Sequence, residues 1–400
     1  MKKVNSKKNV EVELEQKTIA LVTGDGSGPE MMAVACKIVD EAAKSYGLEI
    51  IWEETPMGWG AYHKYGDTLP PESLKRAVEI GTIFFGGVGD FENDKTIGAE
   101  KPEMKPEARA LLPIRKQMGL LLNFRPMIYF PGLESLSNVK PENIPSGGVE
   151  QHFIRFLLQD SYFGNADFLG SPMVDSETMK HLGIKLKKDV KATDYQVADL
   201  AYFTGDSVRQ YLYAAFKYAG ALNLPLISID KANVMARYDF WRKICNEIAL
   251  EFPEVEVKHQ LVDSANALLF YPGELHGVIA CGNEHGDILS DGAAGALGSM
   301  GMMCSSAINP DTGAAMFESG AGTAPDIAGQ DKANPIGRIL TGAMMLEHLG
   351  YIEAGSNIKG AVKKALLSGY RTADIFCKGS DDPKKILGCQ AMGKKILENM

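Results

Sequence analysis

TIALVTGDGSGPEMMAVACKIVDEAA, residues 18–43, sets the reading of the fold. Thr18–Thr23 is a short β-rich apolar run, ended by the turn residues of GDGSGPE at 24–30. Beyond it Met31, Val34, Ile38, Val39 and Ala42 recur at helical spacing. Working outward, Ile50–Glu53 reads as a second strand. Pro70–Val78 opens a helix with Pro and Glu in its first turn, and Thr82–Val88 is an apolar run closed by glycines. The same grammar returns in the strands Leu224–Ile229, Val255–Val262 and Gly277–Cys281 and in the helices Val234–Leu250 and Ile336–Leu349. Strands alternating with helices predict an α/β sheet of buried parallel strands. Between Phe163 and Ser207 the pattern weakens around the charged Lys185–Asp189, which suits an extended arm. Val139–Gly148, with two prolines and two glycines, reads as a loop.

The 400 residues suit roughly two or three domains at ~100–200 residues each. Lys plus Arg total 42 against 51 Asp plus Glu, a formal charge of −9. That balance argues against nucleic acid, whose phosphates call for clustered cations, but leaves room for a small anion held by a few arginines. The six cysteines are scattered without a zinc spacing, as in a reduced, cytoplasmic chain. The first sixteen residues lack an apolar signal core. Gly292–Pro310 is free of charge but rich in Gly and Ser, so no membrane is expected; its glycine spacing suits a helix packed closely on another backbone.

Three constellations carry chemistry. Arg115 and Arg125 flank an apolar run, and Arg155 sits within HFIRFLL. An inward guanidinium needs an anion, either a ligand or the protein's own Asp and Glu. In GNEHGDILSDGAAGALGS, Asp287 and Asp291 are four apart and share a helical face. Like charges at that spacing suit a hard divalent cation such as Mg²⁺, with Asp263 a possible third oxygen ligand; an N-cap Asp and a surface Asp are the ordinary alternative. Lys231 directly follows a buried strand, where α/β enzymes place functional groups, although a solvated loop lysine looks the same in sequence. Tyr162 reads equally as a core residue. GDGSGPE fits the dinucleotide fingerprint poorly, whereas GAGTAPDIAGQDKANP offers small residues where backbone N–H groups can approach phosphates.

Taken in order, these blocks resemble the isocitrate and 3-isopropylmalate dehydrogenases, the β-decarboxylating dehydrogenases. The similarity rests on GDGSGPE at 24–30, RKQMGLLLNFRP at 115–126, FPGLESLS at 130–137, IR and SYFG at 154–164, DKANV at 230–234, FWRK at 240–243 and LVD at 261–263. GNEHGDILSD at 282–291, GTAPDIAGQDKANP at 322–335 and MMLEHLG at 344–350 complete it. The resemblance implies a non-Rossmann two-domain α/β fold. Residues 1–120 plus 298–400 would form a large cofactor-binding domain. Residues 121–297 would form a small domain with substrate, metal and dimer-interface residues and an arm at about 165–205. It further implies a homodimer with shared active sites.

Carried over residue by residue, Arg115, Arg125 and Arg155 would hold substrate carboxylates. Asp287 and Asp291, with Asp263 of the neighbouring chain, would hold Mg²⁺ or Mn²⁺. Lys231, also from the neighbour, would be the general base and Tyr162 the acid. Gly322, Thr323, Ala324, Asp326, Ile327 and Asn334 would meet the cofactor, and the carboxylate of Asp326 implies NAD. The turn Ala108–Leu112 would face the substituent on C3 of a 2-hydroxy di- or tricarboxylate. Leu111 there suggests 3-isopropylmalate, whereas Arg109 would suit the third carboxylate of isocitrate. Ala321 stands where many members have His, Phe156 where a Glu is usual, and QDSYFG replaces a Thr/Gly-rich approach to the tyrosine. These departures keep D-malate, tartrate or another diacid open as substrates. A non-catalytic regulatory subunit is the alternative from another class, and retention of the whole acid, base and metal set speaks against it.

Overall fold

A computed structural model describes residues 14–163, 201–298, 300–320 and 322–400. One sheet of ten strands runs through them: β1 Glu15–Val22, β2 Leu48–Glu54, β3 Thr82–Phe85, β4 Leu122–Met127, β5 Gln151–Phe156, β6 Leu226–Asp230, β7 Val257–Leu261, β8 Gly277–Cys281, β9 Cys304–Ile308 and β10 Ala315–Ser319. Their spatial order is β2-β1-β3-β10-β9-β4-β5-β8-β6-β7. The strands β2, β1, β3 and β10 are parallel, as are β5, β8, β6 and β7. The four middle strands, β10, β9, β4 and β5, pair antiparallel. The sequence pattern anticipates the parallel flanks and misses this antiparallel seam. The seam strands carry inward polar groups, so they lack an unbroken apolar run.

Helices cover both faces. Gly28–Ser45 starts with Pro29 in its first turn and buries Met31, Met32, Ala35, Ile38, Val39 and Ala42. It packs with Ile336–His348 and Ile352–Leu367 around Ile19, Phe84 and Phe317. At the other end of the sheet, the helices Gly205–Leu222 and Ala236–Ala249 gather Tyr211, Phe216, Tyr238 and Trp241 against Phe156. Each such large apolar side chain contributes about 1.5–3 kcal/mol when fully buried. The expected arm lies mostly outside the described residues.

One helical expectation needs correction. The charge-free stretch 292–310 is helical only to Leu297; Gly298 ends the helix at φ +71°, and Met300–Met302 form a 3₁₀ turn before β9. A Cβ at Gly298 would lie 2.4 Å from the Leu136 carbonyl oxygen, so glycine is required there by space as well as by φ. The β-branched and small residues beyond it then join the seam.

The GDGSGPE loop is a clasp. Asp25 is buried, and its carboxylate accepts N–H bonds from Trp59 and Gly60 at 2.9 Å and from Gly89 at 2.8 Å. Burial raises its pKa, opposed by those three donors. Ser27 donates through both N–H and hydroxyl to the Thr323 carbonyl, at 2.7 and 2.8 Å. The first turn of the chain is thereby tied to a loop about 300 residues later.

Candidate active site

Side chains alternate along a strand, so Asn123 and Arg125 of β4 share one face, and the register sets Asn123 opposite Arg155 of β5. All three are buried. The helix Asn283–Leu297 covers that face, and Gly286 permits the approach: a Cβ there would stand 3.0 Å from Arg155 Cβ. Arg155 donates from Nε to Asn283 Oδ1 at 2.7 Å and from Nη1 to Asp287 Oδ1 at 2.5 Å. Arg125 donates from Nε to Asn123 Oδ1 at 3.0 Å and from Nη1 to Ser290 Oγ at 2.8 Å and Asp291 Oδ1 at 3.0 Å. The same Nη1 lies 3.1 Å from Asp287 Oδ1. Arg115, on the helix Leu112–Gln117, donates to Glu318 Oε2 of β10 at 3.0 Å. Burial, with Arg125 close by, pushes the Arg155 guanidinium below its usual range.

Tyr162 follows β5 through a short turn. Its hydroxyl donates to Asp287 Oδ2 at 3.1 Å, and the Arg155 guanidinium lies 5.2 Å from its ring. Burial and the Asp287 charge raise its pKa, so it keeps its proton through neutral pH. A cavity of about 530 Å³ opens here. Arg115, Arg125, Arg155, Tyr162 and Asp287 line it together with the apolar Val88, Phe91, Leu111 and Leu112, and Gly322, Thr323 and Pro325 border it.

Not every sequence-predicted residue arrives. Arg109 does not line the cavity; it pairs with Asp67, Nη2 to Oδ2 at 2.9 Å and Nε to Oδ1 at 3.2 Å. A π turn at Glu107–Leu111 precedes the Arg115 helix, and Arg109 lies within it. Lys231 and Asp263 also stand apart from the cavity lining, paired with each other at 2.5 Å. They meet because β6 and β7 are neighbours with Asp230 opposite Leu261, and each residue lies just beyond its strand. The Lys231 bond lowers the pKa of the exposed Asp263.

Asp287 and Asp291 do share one turn of one helix, with Arg125 between them. Burial raises the Asp291 pKa more than Arg125 lowers it. Two hard carboxylates converging on one cation suit Mg²⁺ or Mn²⁺, which take one or two carboxylates plus water and substrate oxygens. Among the described residues of a single chain, no group of three metal-ligating side chains gathers.

In the segment expected to meet a cofactor, Gly322 and Thr323 border the cavity and Ala324 takes a left-handed φ of +40°. Asp326 is exposed on the following 3₁₀ turn, and Ile327 packs beside Met31, Ala333 and Cys389. Asn334 is buried and engaged locally, donating to Asp374 Oδ2 and accepting from the Ile336 N–H, both at 3.0 Å. Ala321 lies outside the described residues. The sequence reading missed Glu318 and Asn283, which partner Arg115 and Arg155, and Glu107, which lines the cavity. Glu318 had a signal, a lone acid inside the run AAMFES.

These features define an α/β enzyme that gathers three arginines and a carboxylate helix over the seam of one mixed sheet. The chain belongs to the isocitrate/isopropylmalate dehydrogenase family, which matches residues 18–396, and it is an oxidoreductase. It is 38% identical over 380 residues to a 3-isopropylmalate dehydrogenase of Synechococcus sp. (strain JA-2-3B'a(2-13)), covering 95% of this chain and 94% of that protein. It is 36% identical over 383 residues to the 3-isopropylmalate dehydrogenase of Chromobacterium violaceum, covering 96% and 99%. The solved isocitrate dehydrogenase of Methylococcus capsulatus superposes with a TM-score of 0.76 at 26% identity, over 96% of this chain and 99% of that one.

Proposed function

We propose that the chain is an NAD- and Mg²⁺- or Mn²⁺-dependent enzyme that oxidatively decarboxylates 3-isopropylmalate or a close analogue. Residues 1–120 plus 298–400 serve as the cofactor domain and 121–297 as the substrate domain of a cytoplasmic homodimer. The observation that carries the substrate reading is the pairing of Arg109 with Asp67 while Leu111 and Leu112 line the cavity. An apolar C3 substituent finds matching surface there, and the third carboxylate of isocitrate finds no free guanidinium from Arg109. The relatives named 3-isopropylmalate dehydrogenase support the same reading.

In this reading Arg115, Arg125 and Arg155 bind the two carboxylates, exchanging contacts now made to Glu318, Asp287 and Asp291. Asp287 and Asp291, completed by Asp263 of a second chain, hold the metal ion. Bound there, NAD would supply the acceptor for the C2 hydride and the metal ion would supply Lewis-acid polarisation. Lys231 of the second chain takes the hydroxyl proton, and after CO₂ leaves Tyr162 delivers a proton to C3. Asp326 accepts from the adenosine ribose hydroxyls, with Gly322, Thr323, Ala324, Ile327 and Asn334 shaping that pocket.

The test is NADH formation across 3-isopropylmalate, isocitrate, homoisocitrate, D-malate and tartrate with Mg²⁺ or Mn²⁺. The highest kcat/KM is expected for 3-isopropylmalate. A preference for isocitrate would overturn the substrate assignment.

A further inference from the structure

Asp160 sits two residues before Tyr162 and is fully buried. Its backbone is left-handed, φ +75°, in a conformation that non-glycine residues rarely adopt but Asp and Asn tolerate best. Its N–H donates to the Tyr202 carbonyl at 3.2 Å. Its carboxylate faces the helix Ala236–Ala249. There Tyr238 donates its hydroxyl to Oδ2 at 3.3 Å, and Arg237 Nε lies 3.3 Å from Oδ1 in an ion pair. Arg237 in turn spreads over the Tyr238 ring, 5.0 Å from its centroid, and His285 stacks on that ring at 4.6 Å. A Cβ at Gly282 would stand 2.8 Å from Asp160 Oδ2, so the start of the Asn283–Leu297 helix packs directly on the same group.

The neighbours of Asp160 are fastened too. Gln159 clamps Thr204, donating to its hydroxyl at 2.7 Å and accepting from its N–H at 2.8 Å, and Ser161 donates to Glu284 at 3.0 Å. None of these groups lines the cavity, yet all hold the turn that carries Tyr162 into it. A buried carboxylate in a strained backbone persists only where its surroundings over-determine it, and removing its cation leaves an uncompensated charge.

We propose that Asp160 is a positioning residue: its ion pair with Arg237 fixes the left-handed turn that sets the Tyr162 hydroxyl beside Asp287 and the Tyr162 ring against the Arg155 guanidinium. The inference rests on the reading of Tyr162 as the proton donor. A donor displaced by about 1 Å can lose on the order of a hundredfold in rate while substrate binding, which rests on the arginines, persists.

The experiment uses the full-length enzyme and five variants. Asp160→Asn keeps the left-handed tolerance and the Tyr238 bond but removes the charge. Asp160→Gly relieves the backbone and removes the side chain, and it carries the test should the Asn variant fold poorly. Both are expected to lower kcat at least about tenfold with KM for the hydroxy acid within about twofold, the signature of an interaction realised only in the transition state. The solvent deuterium isotope effect on kcat is expected to rise as protonation becomes limiting. Arg237→Gln is expected to match Asp160→Asn, and the double variant to be no worse than either single one. A kcat and isotope effect unchanged in both Asp160 variants would overturn the proposal, whatever the melting temperature does. Tyr162→Phe separates the two readings. Inactive Tyr162→Phe with normal Asp160 variants sinks the positioning role alone, and fully active Tyr162→Phe sinks both.

Discussion

Lys231 Nζ lies 2.5 Å from Asp263 Oδ1, and neither residue lines the cavity that holds Tyr162, Arg155 and Asp287. If each chain lends this pair to its neighbour, Lys231→Met and Tyr162→Phe subunits should be inactive alone and complement each other when mixed. Random re-pairing leaves one intact site in each hybrid dimer, so roughly a quarter of wild-type activity should return after joint refolding. No recovery would place the base in the same chain as the acid.

Asp291 allows a prediction with a defined sign. Its pKa is raised by burial, so its contribution to stability is full below the unfolded value near ~3.9 and is lost as pH rises through the folded value. At neutral pH the ionised group therefore weakens the metal-free fold. Asp291→Asn should melt higher than wild type without metal at pH 7, with the gap closing as the pH falls. Mn²⁺ should raise the wild-type melting temperature and leave that of Asp291→Asn nearly unmoved. Thermal melts at both pH values, with and without Mn²⁺, check this.

Asp326 should decide the cofactor. A 2′-phosphate ~4 Å from a carboxylate costs about 4 kcal/mol at an effective dielectric near 20, close to three decades of affinity. Asp326→Lys with Ile327→Tyr should move the ratio of kcat/KM for NAD over NADP by at least about a hundredfold toward NADP. An unmoved ratio would remove Asp326 from the ribose.

Gly26 packs the GDGSGPE loop against Thr323, in the loop proposed to meet NAD. At φ +58° and with Thr323 O only 2.4 Å from any added Cβ, it has no room for a side chain. Gly26→Ala should raise KM for NAD while leaving KM for the hydroxy acid almost unchanged, because the arginines hang from β4, β5 and a separate helix. Steady-state kinetics with each substrate varied in turn tests the split.

Much of the parallel architecture is legible in sequence, because β8 is an unbroken apolar run, GVIAC, and the Gly28–Ser45 helix keeps its period through Val39 and Ala42. The seam is not, since β4 and β5 interrupt their apolar pattern with Asn123, Arg125 and Arg155, the groups that face the site. The site shows the same division. Asp287 and Asp291 share a helix face by spacing alone, whereas Glu318 reaches Arg115 across more than 200 residues of chain, a contact only the sheet order creates. Arg109, which the resemblance offered to a third carboxylate, instead pairs with Asp67, 42 residues earlier in the chain, a contact that no local pattern announces.

The most direct test of the central claim is the stoichiometry of CO₂ to NADH when the purified chain, with no other polypeptide, turns over 3-isopropylmalate with Mn²⁺. One CO₂ released for each NADH formed is the expected result. NADH without CO₂, or activity only after a second polypeptide is added, would contradict it.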